Sequence, residues 1–357
     1  RLTVHPLIRR LPADRLQFEV RTALSRGPAC HRMQSEGTGR AAGEGVGSEG
    51  LVMQIAVTGA TGFLGRYIVS HLAEAGHRLV CWHRPTSDLG HFPSPIPPRA
   101  LTWIEGALND PKSGADLVEG ADAVVHSALD HPSGGFRGEA GDLIEFVERN
   151  VVGSLRLIEQ ARAAGVGRFV YISSCAVHDV ILDDRPLDEA HPTWSTNNYG
   201  AHKAAVENFV TCFGLGAGYP ICALRPTGIY GLAHPPAASK WFGLVKQVVE
   251  GRRVEARRGG KEVHAADVAR AVELLLGADE RAISGRMFNC CDRYVSEYEV
   301  AHLARRASGG TGAIDGEETR PKHQIDVGRI RSLGMTFGGT PLLERTIDRL
   351  VAAVRAE

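Results

Sequence analysis

The chain has 357 residues, 43% hydrophobic and 23% charged, with 41 basic and 41 acidic residues and therefore no formal net charge. That balance gives no electrostatic reason to bind nucleic acid or an anionic membrane, and no apolar run nears the ~18 residues of a membrane span. Seven cysteines without a CxxC and fifteen histidines without an HExxH exclude the common metal spacings, and they indicate free thiols in a reducing, cytoplasmic setting with no bound metal.

Residues 1–51 differ from the rest. RLTVHPLIRRLPADRLQ lacks a sustained apolar period, and GTGRAAGEGVGSEG at 37–50 is too glycine-rich to bury a core. The segment is expected to be a disordered extension ahead of a start at Met53, with an organellar transit peptide as the alternative reading.

The first strand is expected over 54–58, where Ile55, Ala56 and Val57 form an apolar run. Gly59, Gly62 and Gly65 follow at GxxGxxG spacing. Leu64, Ile68 and Leu72 then recur every four residues, one face of a helix. Strand, glycine turn and helix in that order make a phosphate site, because backbone can approach a pyrophosphate and the helix start offers unpaired N–H groups. Gly59, Thr61, Gly62, Phe63, Leu64 and Gly65 are the residues such a ligand would touch.

A second strand is read at 78–82, ending at His83 and Arg84. An acid at this point binds a free ribose 2′-hydroxyl and repels a 2′-phosphate. Histidine and arginine favour NADP, with NAD as the alternative. Further strands are expected at 101–105, 123–126, 168–173 and 221–225, with helices at 142–165 and 199–213. Strands alternating with helices predict an α/β protein with a parallel doubly wound sheet.

Beyond Arg225 the rhythm loosens. Helices are expected at 241–251, 265–276 and 297–306, a strand at 286–290, and a last helix capped by Thr340 with Pro341 in its first turn. The expected division is a dinucleotide-binding domain at 52–230 and a smaller, mainly helical substrate lobe at 231–357, some of whose elements return to the sheet.

The strongest catalytic signal is YGAHK at 199–203. Residues four apart share a helix face, so the Tyr199 phenol and the Lys203 ammonium point the same way, and the cation favours phenolate. Upstream, the strand ending in Ser173 and Ser174 brings hydroxyls to the carboxyl edge of the sheet. Cys175, His178, His191, Trp194 and Asn198, on the loops before Tyr199, are candidate pocket residues.

From Met53 onward the chain resembles the extended short-chain dehydrogenase/reductases of the NAD(P)-dependent epimerase/dehydratase type. The stretches that carry the likeness are TGATGFLG (58–65), AVVHSA (123–128), NVVGSLRLIEQARAAGVGRFVYISS (150–174), YGAHK (199–203), LRPTGIYG (224–231) and VHAADVARA (263–271). The resemblance implies a Rossmann-type sheet, a Ser174–Tyr199–Lys203 catalytic triad, and a nicotinamide ribose held by Lys203. It also implies Pro226 and Ile229 bordering the nicotinamide, Ser127 and Ala128 along the cofactor, and Asn150 behind the site, linked to Lys203 through backbone and water. A polar residue that kinks its helix is the other reading of Asn150. A homodimer through 142–165 and 199–213 is implied as well.

The departures carry information. Where many members bind adenine with Asp, this chain has Ala107, which leaves Leu108 and backbone. Cys175 and Ala176 replace the Asp-Glu pair of dehydratases. Gly228 and Gly260 stand where nucleotide-sugar enzymes carry Asn and Arg, although Arg257, Arg258 and Lys261 lie nearby. The resulting expectation is an oxidoreductase acting between NADP(H) and a small carbonyl or alcohol. A nucleotide-sugar 4-epimerase with bound NAD is the alternative, and a non-catalytic NADP-binding redox sensor is a second.

Overall fold

Strands whose residues are apolar on both faces need cover on both faces, and this sheet has it. The computed structural model describes residues 52–131 and 141–357, so the expected extension at 1–51 lies outside the described residues. The first half runs β1 (Gln54–Thr58), α1 (Phe63–Glu74), β2 (Arg78–His83), β3 (Leu101–Glu105), α2 (Pro111–Val118) and β4 (Ala123–His126). It continues with α3 (Leu143–Val147), α4 (Gly153–Ala163), β5 (Arg168–Ile172), α5 (Asn198–Thr211) and β6 (Ile221–Pro226). Then come β7 (Gly228–Tyr230), α6 (Phe242–Val249), β8 (Val254–Ala256), β9 (Gly259–His264), α7 (Ala265–Gly277), α8 (Glu280–Ile283) and β10 (Arg286–Cys290). The chain closes with β11 (Arg293–Ser296), α9 (Glu297–Ser308), β12 (Ile314–Gly316), α10 (Gly328–Ser332) and α11 (Gly339–Arg355).

Seven strands form one sheet in the order β10-β6-β5-β4-β1-β2-β3, and every recorded pairing in it is parallel. The chain builds outward from β1 to β3, then crosses back to β4 and builds the other way. The direction therefore reverses between β1 and β4, and the crevice at their carboxyl ends is where open sheets of this kind bind ligands.

Side chains alternate along β1. Ile55 and Val57 join the layer containing Ile68 and Leu72 of α1 and Val268 and Val272 of α7. Ala56 faces the other layer, with Leu157 and Ile158 of α4 and Val206 and Val210 of α5. Each such aliphatic side chain contributes about 1.5–3 kcal/mol on burial. A third cluster joins α6, α9 and α11 through Val245, Ala301, Leu343 and Ile347.

The expected helix at 142–165 is not continuous. A π turn at Glu148–Val152 separates α3 from α4, and Asn150 sits inside it. Asn197 caps α5, and a π turn at Cys212–Gly216 ends it. Thr340 does not cap the last helix: α11 begins at Gly339, with Gly338 at the cap position two residues earlier, and the Thr340 hydroxyl instead accepts from Arg293. The C-terminal region also carries two small sheets, β11-β9-β7 and β12-β8, absent from the expectation. Their strands are three to six residues long and mix polar with apolar residues, as in GGKEVH and VEA, so no period betrays them. Among the described residues no helix is long and apolar enough to cross a membrane.

Candidate active site

The glycine turn closes the crevice end of β1. Gly59 has φ +72°, and a Cβ there would lie 2.8 Å from the Ala128 nitrogen and the Ser127 carbonyl carbon. A Cβ on Gly65 would meet the Gly59 carbonyl oxygen at 2.0 Å. Backbone therefore packs on backbone, and only glycine fits either position. Helix α1 starts at Gly62 with no side-chain cap and no acid in its first turn. An uncapped, acid-free helix start behind a glycine turn fits the pyrophosphate of a dinucleotide.

Thr61, Phe63 and Leu64 lie around that start, the two apolar side chains resting on the core beneath. Arg84 is exposed after β2, and among the described residues its guanidinium has no ion-pair partner. His83 sets its ring edge-on to Trp103 at 5.9 Å, and Leu108 is half-buried against the opposite layer. An exposed, unpaired guanidinium at this strand end fits a 2′-phosphate.

Behind the turn runs a chain of buried polar groups. The backbone N–H groups of Ser127 and Ala128 donate to Thr58 Oγ1 at 3.2 and 3.1 Å. With its lone pairs so used, the Thr58 hydroxyl donates to His126 Nδ1 at 2.6 Å. His126 Nε2–H then donates to Ser154 Oγ at 2.8 Å, and Ser154 donates to the Asn150 carbonyl at 2.5 Å. His126 is fully buried. Burial first, and the Lys203 charge second, push its pKa down to about 3, so it stays neutral in this one tautomer. The Asn150 side chain clamps Asp130, accepting from its N–H and donating to its carbonyl, both at 2.8 Å, and also donates to the Phe146 carbonyl at 3.0 Å. This is the polar residue at a helix kink, satisfied by backbone.

Helix α5 carries Tyr199, Lys203 and Glu207 one turn apart on one face. Asn197 caps it by accepting from the Gly200 N–H at 2.9 Å. A Cβ on Gly200 would lie 2.0 Å from Ser195 Oγ and 2.4 Å from the Ala176 carbonyl, so the helix start sits directly against the loop that follows β5. That contact brings the Tyr199 end of α5 to the loop holding Ser174 and Cys175. Lys203 is buried, donates from Nζ to the Ile172 carbonyl at 2.7 Å, and lies 6.0 Å from the centre of the Tyr199 ring. Burial pushes its pKa down to about 7, against the pull of Glu207. Ser174 is half-buried and accepts from the Ala176 N–H at 3.1 Å, which leaves its own O–H to donate.

The second serine of the pair is different. Ser173 is buried and donates to Glu207 Oε1 at 2.5 Å. Glu207 also accepts from Arg225 Nε at 2.8 Å and Nη2 at 2.7 Å, a bidentate pair that is almost wholly buried. Arg225 Nη1 reaches His178 Nε2 at 3.2 Å. Reading the sequence missed Glu207, Arg225 and His126; the available signal was Glu207 four residues after Lys203 on the same face.

The remaining candidates fall in different places. His178 and His191 are buried with both ring nitrogens engaged inside the protein, each also bonding the Pro192 carbonyl, at 3.1 and 3.0 Å. Cys175 donates its thiol to the Arg225 carbonyl at 3.0 Å. Trp194 is 54% exposed, and Asn198 is an exposed first residue of α5. Pro226 is buried at the end of β6 and Ile229 half-buried on β7.

Comparison with known proteins bears on the family and the fold. The profile of the NAD dependent epimerase/dehydratase family matches residues 55–291. A UDP-glucose 4-epimerase of Streptomyces lividans is 30% identical over 240 residues, 60% of this chain and 69% of that protein. A 2-alkyl-3-oxoalkanoate reductase of Stenotrophomonas maltophilia is 33% identical over half of this chain and 52% of its own length. The solved structure of UDP-glucose 4-epimerase from Thermotoga maritima with UDP-glucose superposes with a TM-score of 0.69 at 19% identity, covering 85% of this chain and 99% of that one. With the family profile spanning the whole glycine turn, the YGAHK helix and the start of the C-terminal region, the chain belongs to the NAD dependent epimerase/dehydratase family of extended short-chain dehydrogenase/reductases and is an NAD(P)-dependent enzyme.

Proposed function

We propose that the protein is an NADP(H)-dependent oxidoreductase that reduces a small carbonyl, or oxidises the matching alcohol, with Ser174, Tyr199 and Lys203 as its catalytic residues. The observation that carries the reading is the seating of α5 against the loop after β5, beside the crevice between β1 and β4. The cofactor, when bound over the glycine turn, supplies or takes up the hydride. Ser174 donates its free O–H to the substrate oxygen. Tyr199 gives that oxygen its phenolic proton in reduction and takes it back in oxidation. The Lys203 ammonium stabilises the phenolate left behind, and the Ile172 carbonyl holds that ammonium in place. Arg84 would meet the 2′-phosphate, Leu108 the adenine, and Pro226 and Ile229 the nicotinamide.

Two assays test this. Tyr199→Phe keeps the ring and its packing, so turnover should fall by about 10²–10⁴. The stabilisation by NADP, ~2.7 kcal/mol at a hundredfold excess over Kd, should remain. Activity surviving that substitution sinks the proposal, and a larger thermal shift with NAD than with NADP overturns the role of Arg84. The likeness to UDP-glucose 4-epimerases favours a second reading, transient oxidation of a nucleotide sugar by retained NAD. Copurified NAD and stabilisation by UDP-sugars would establish it.

The homodimer belongs to the same proposal. Leu143 and Ile144 on α3 and Phe209 on α5, within the two helical stretches expected to pair, are 41–66% exposed, and Leu215 just beyond α5 is 71% exposed. Sedimentation at the monomer mass would refute it.

A further inference from the structure

Away from the catalytic residues, three side chains able to ligate a metal come together from distant parts of the chain. Asp88 and His91 stand in the loop after β2, and His234 in the segment after β7. Among the described residues they are the one group of three histidines, cysteines or carboxylates whose ligand atoms converge, all within 4.8 Å of one another. His91 Nδ1–H donates to Asp88 Oδ2 at 2.9 Å, and the His91 and His234 rings stack with centroids 3.4 Å apart. Adjacent residues of α1 fix both segments. Arg66 donates to the Asp88 carbonyl at 3.1 Å and to its Oδ2 at 3.0 Å. The Tyr67 hydroxyl donates to the Leu232 carbonyl at 3.1 Å and accepts from the Leu232 N–H at 3.0 Å, just ahead of His234. All three ligands are exposed, so an ion reaches them from solvent.

We propose that Asp88, His91 and His234 bind a divalent transition-metal ion of the zinc class. Two imidazoles and one carboxylate are a donor set for zinc, nickel or copper, whereas calcium and magnesium take about six or more oxygen ligands. Donor atoms around a tetrahedral ion stand about 3.3 Å apart, so the 2.9 Å between His91 and Asp88 needs little change. The ion takes the place of the His91 Nδ1 proton, which passes to solvent. Ring lone pairs lie in the ring plane, so the exposed His234 ring turns out of the stack to complete the set, and water fills the fourth position. The Arg66 guanidinium, 3.0 Å from Asp88 Oδ2, competes for the carboxylate and holds the affinity in the micromolar rather than the nanomolar range. Once bound, the ion ties the loop that carries Arg84 to the chain after β7, whatever reaction the cleft catalyses.

The test is calorimetric titration of zinc chloride into the full chain, free of any affinity tag and stripped with EDTA, in the wild type, Asp88→Asn and the double variant H91A/H234A. Wild type should bind zinc with a micromolar Kd, and excess magnesium should not displace it. Both variants should bind at least about tenfold more weakly. Circular dichroism checks that each is folded. No wild-type binding tighter than about 100 µM overturns the proposal. So does a folded double variant that holds zinc as tightly as the wild type, which would place the ion on other histidines or cysteines. Displacement of zinc by excess magnesium would overturn the class of ion. Should the double variant fail to fold, His234→Ala alters one exposed ring and decides the matter by the same tenfold criterion.

Discussion

The buried ion pair beneath the site gives the sharpest prediction. Glu207→Ala removes the carboxylate that accepts from Arg225 twice and from Ser173 once, in a place where both charged side chains are 3–5% exposed. Among the described residues the guanidinium left behind keeps hydrogen bonds from Nη1 to His178 and the Glu189 carbonyl. Breaking a buried pair from one side costs about 3–5 kcal/mol, because the surviving charge stays desolvated without its counterion. In a chain of this size that lowers Tm by roughly 4–8 °C. The triple variant S173A/E207M/R225M removes the whole polar group at similar volume and should recover most of the loss. Urea unfolding followed by circular dichroism measures both. A Glu207→Ala loss under about 1 kcal/mol, or a triple variant less stable than the single one, would show that the pair does not have the energetic weight given to it here.

The same carboxylate holds up the proton affinity of Lys203, so the pH profile responds. The folded lysine titrates near 7, below its ordinary 10.5, so the ammonium form and reductive turnover should fade as pH rises through about 7. In Glu207→Gln that limb moves to lower pH. The linked stability has a definite sign. The unfolded chain holds more protons between about 7 and 10.5, so the cost of burying Lys203 is felt below 7 and is relieved as pH rises across that window. Lys203→Met should remove this dependence, as pH-dependent unfolding will tell. His126→Ala strands the Thr58 and Ser154 hydroxyls and opens a cavity, for a loss of about 2–4 kcal/mol in denaturant melts. Its NADP affinity should fall with it, because Thr58 also holds the Ser127–Ala128 backbone against Gly59. Arg84→Asp should move the NADP-to-NAD Kd ratio toward NAD by about tenfold or more, and an unchanged ratio would place the 2′-phosphate elsewhere.

Much of this protein could be read without coordinates, wherever the information was local. Apolar pentapeptides marked the sheet strands, three glycines marked the tight turn between β1 and α1, and a tyrosine four residues before a lysine marked one face of α5, because strand and helix periods act over a few residues. Even the start of α5 was legible to within a residue. What needed the fold were partnerships across the chain. Thr58 and His126 stand 68 residues apart, His126 and Ser154 stand 28 apart, and Glu207 and Arg225 stand 18 apart. Nothing in their flanking residues says that they meet. Asn150 could be read as a residue that kinks its helix, but its partner needed the fold: the amide reaches out to the backbone of Asp130, 20 residues away. The two glycines at 228 and 260 showed only that something was missing. The tertiary structure alone decided what fills the gap: the space at Gly228 is set by the neighbouring strand β9, whose Glu262 carboxylate also lies over Gly260.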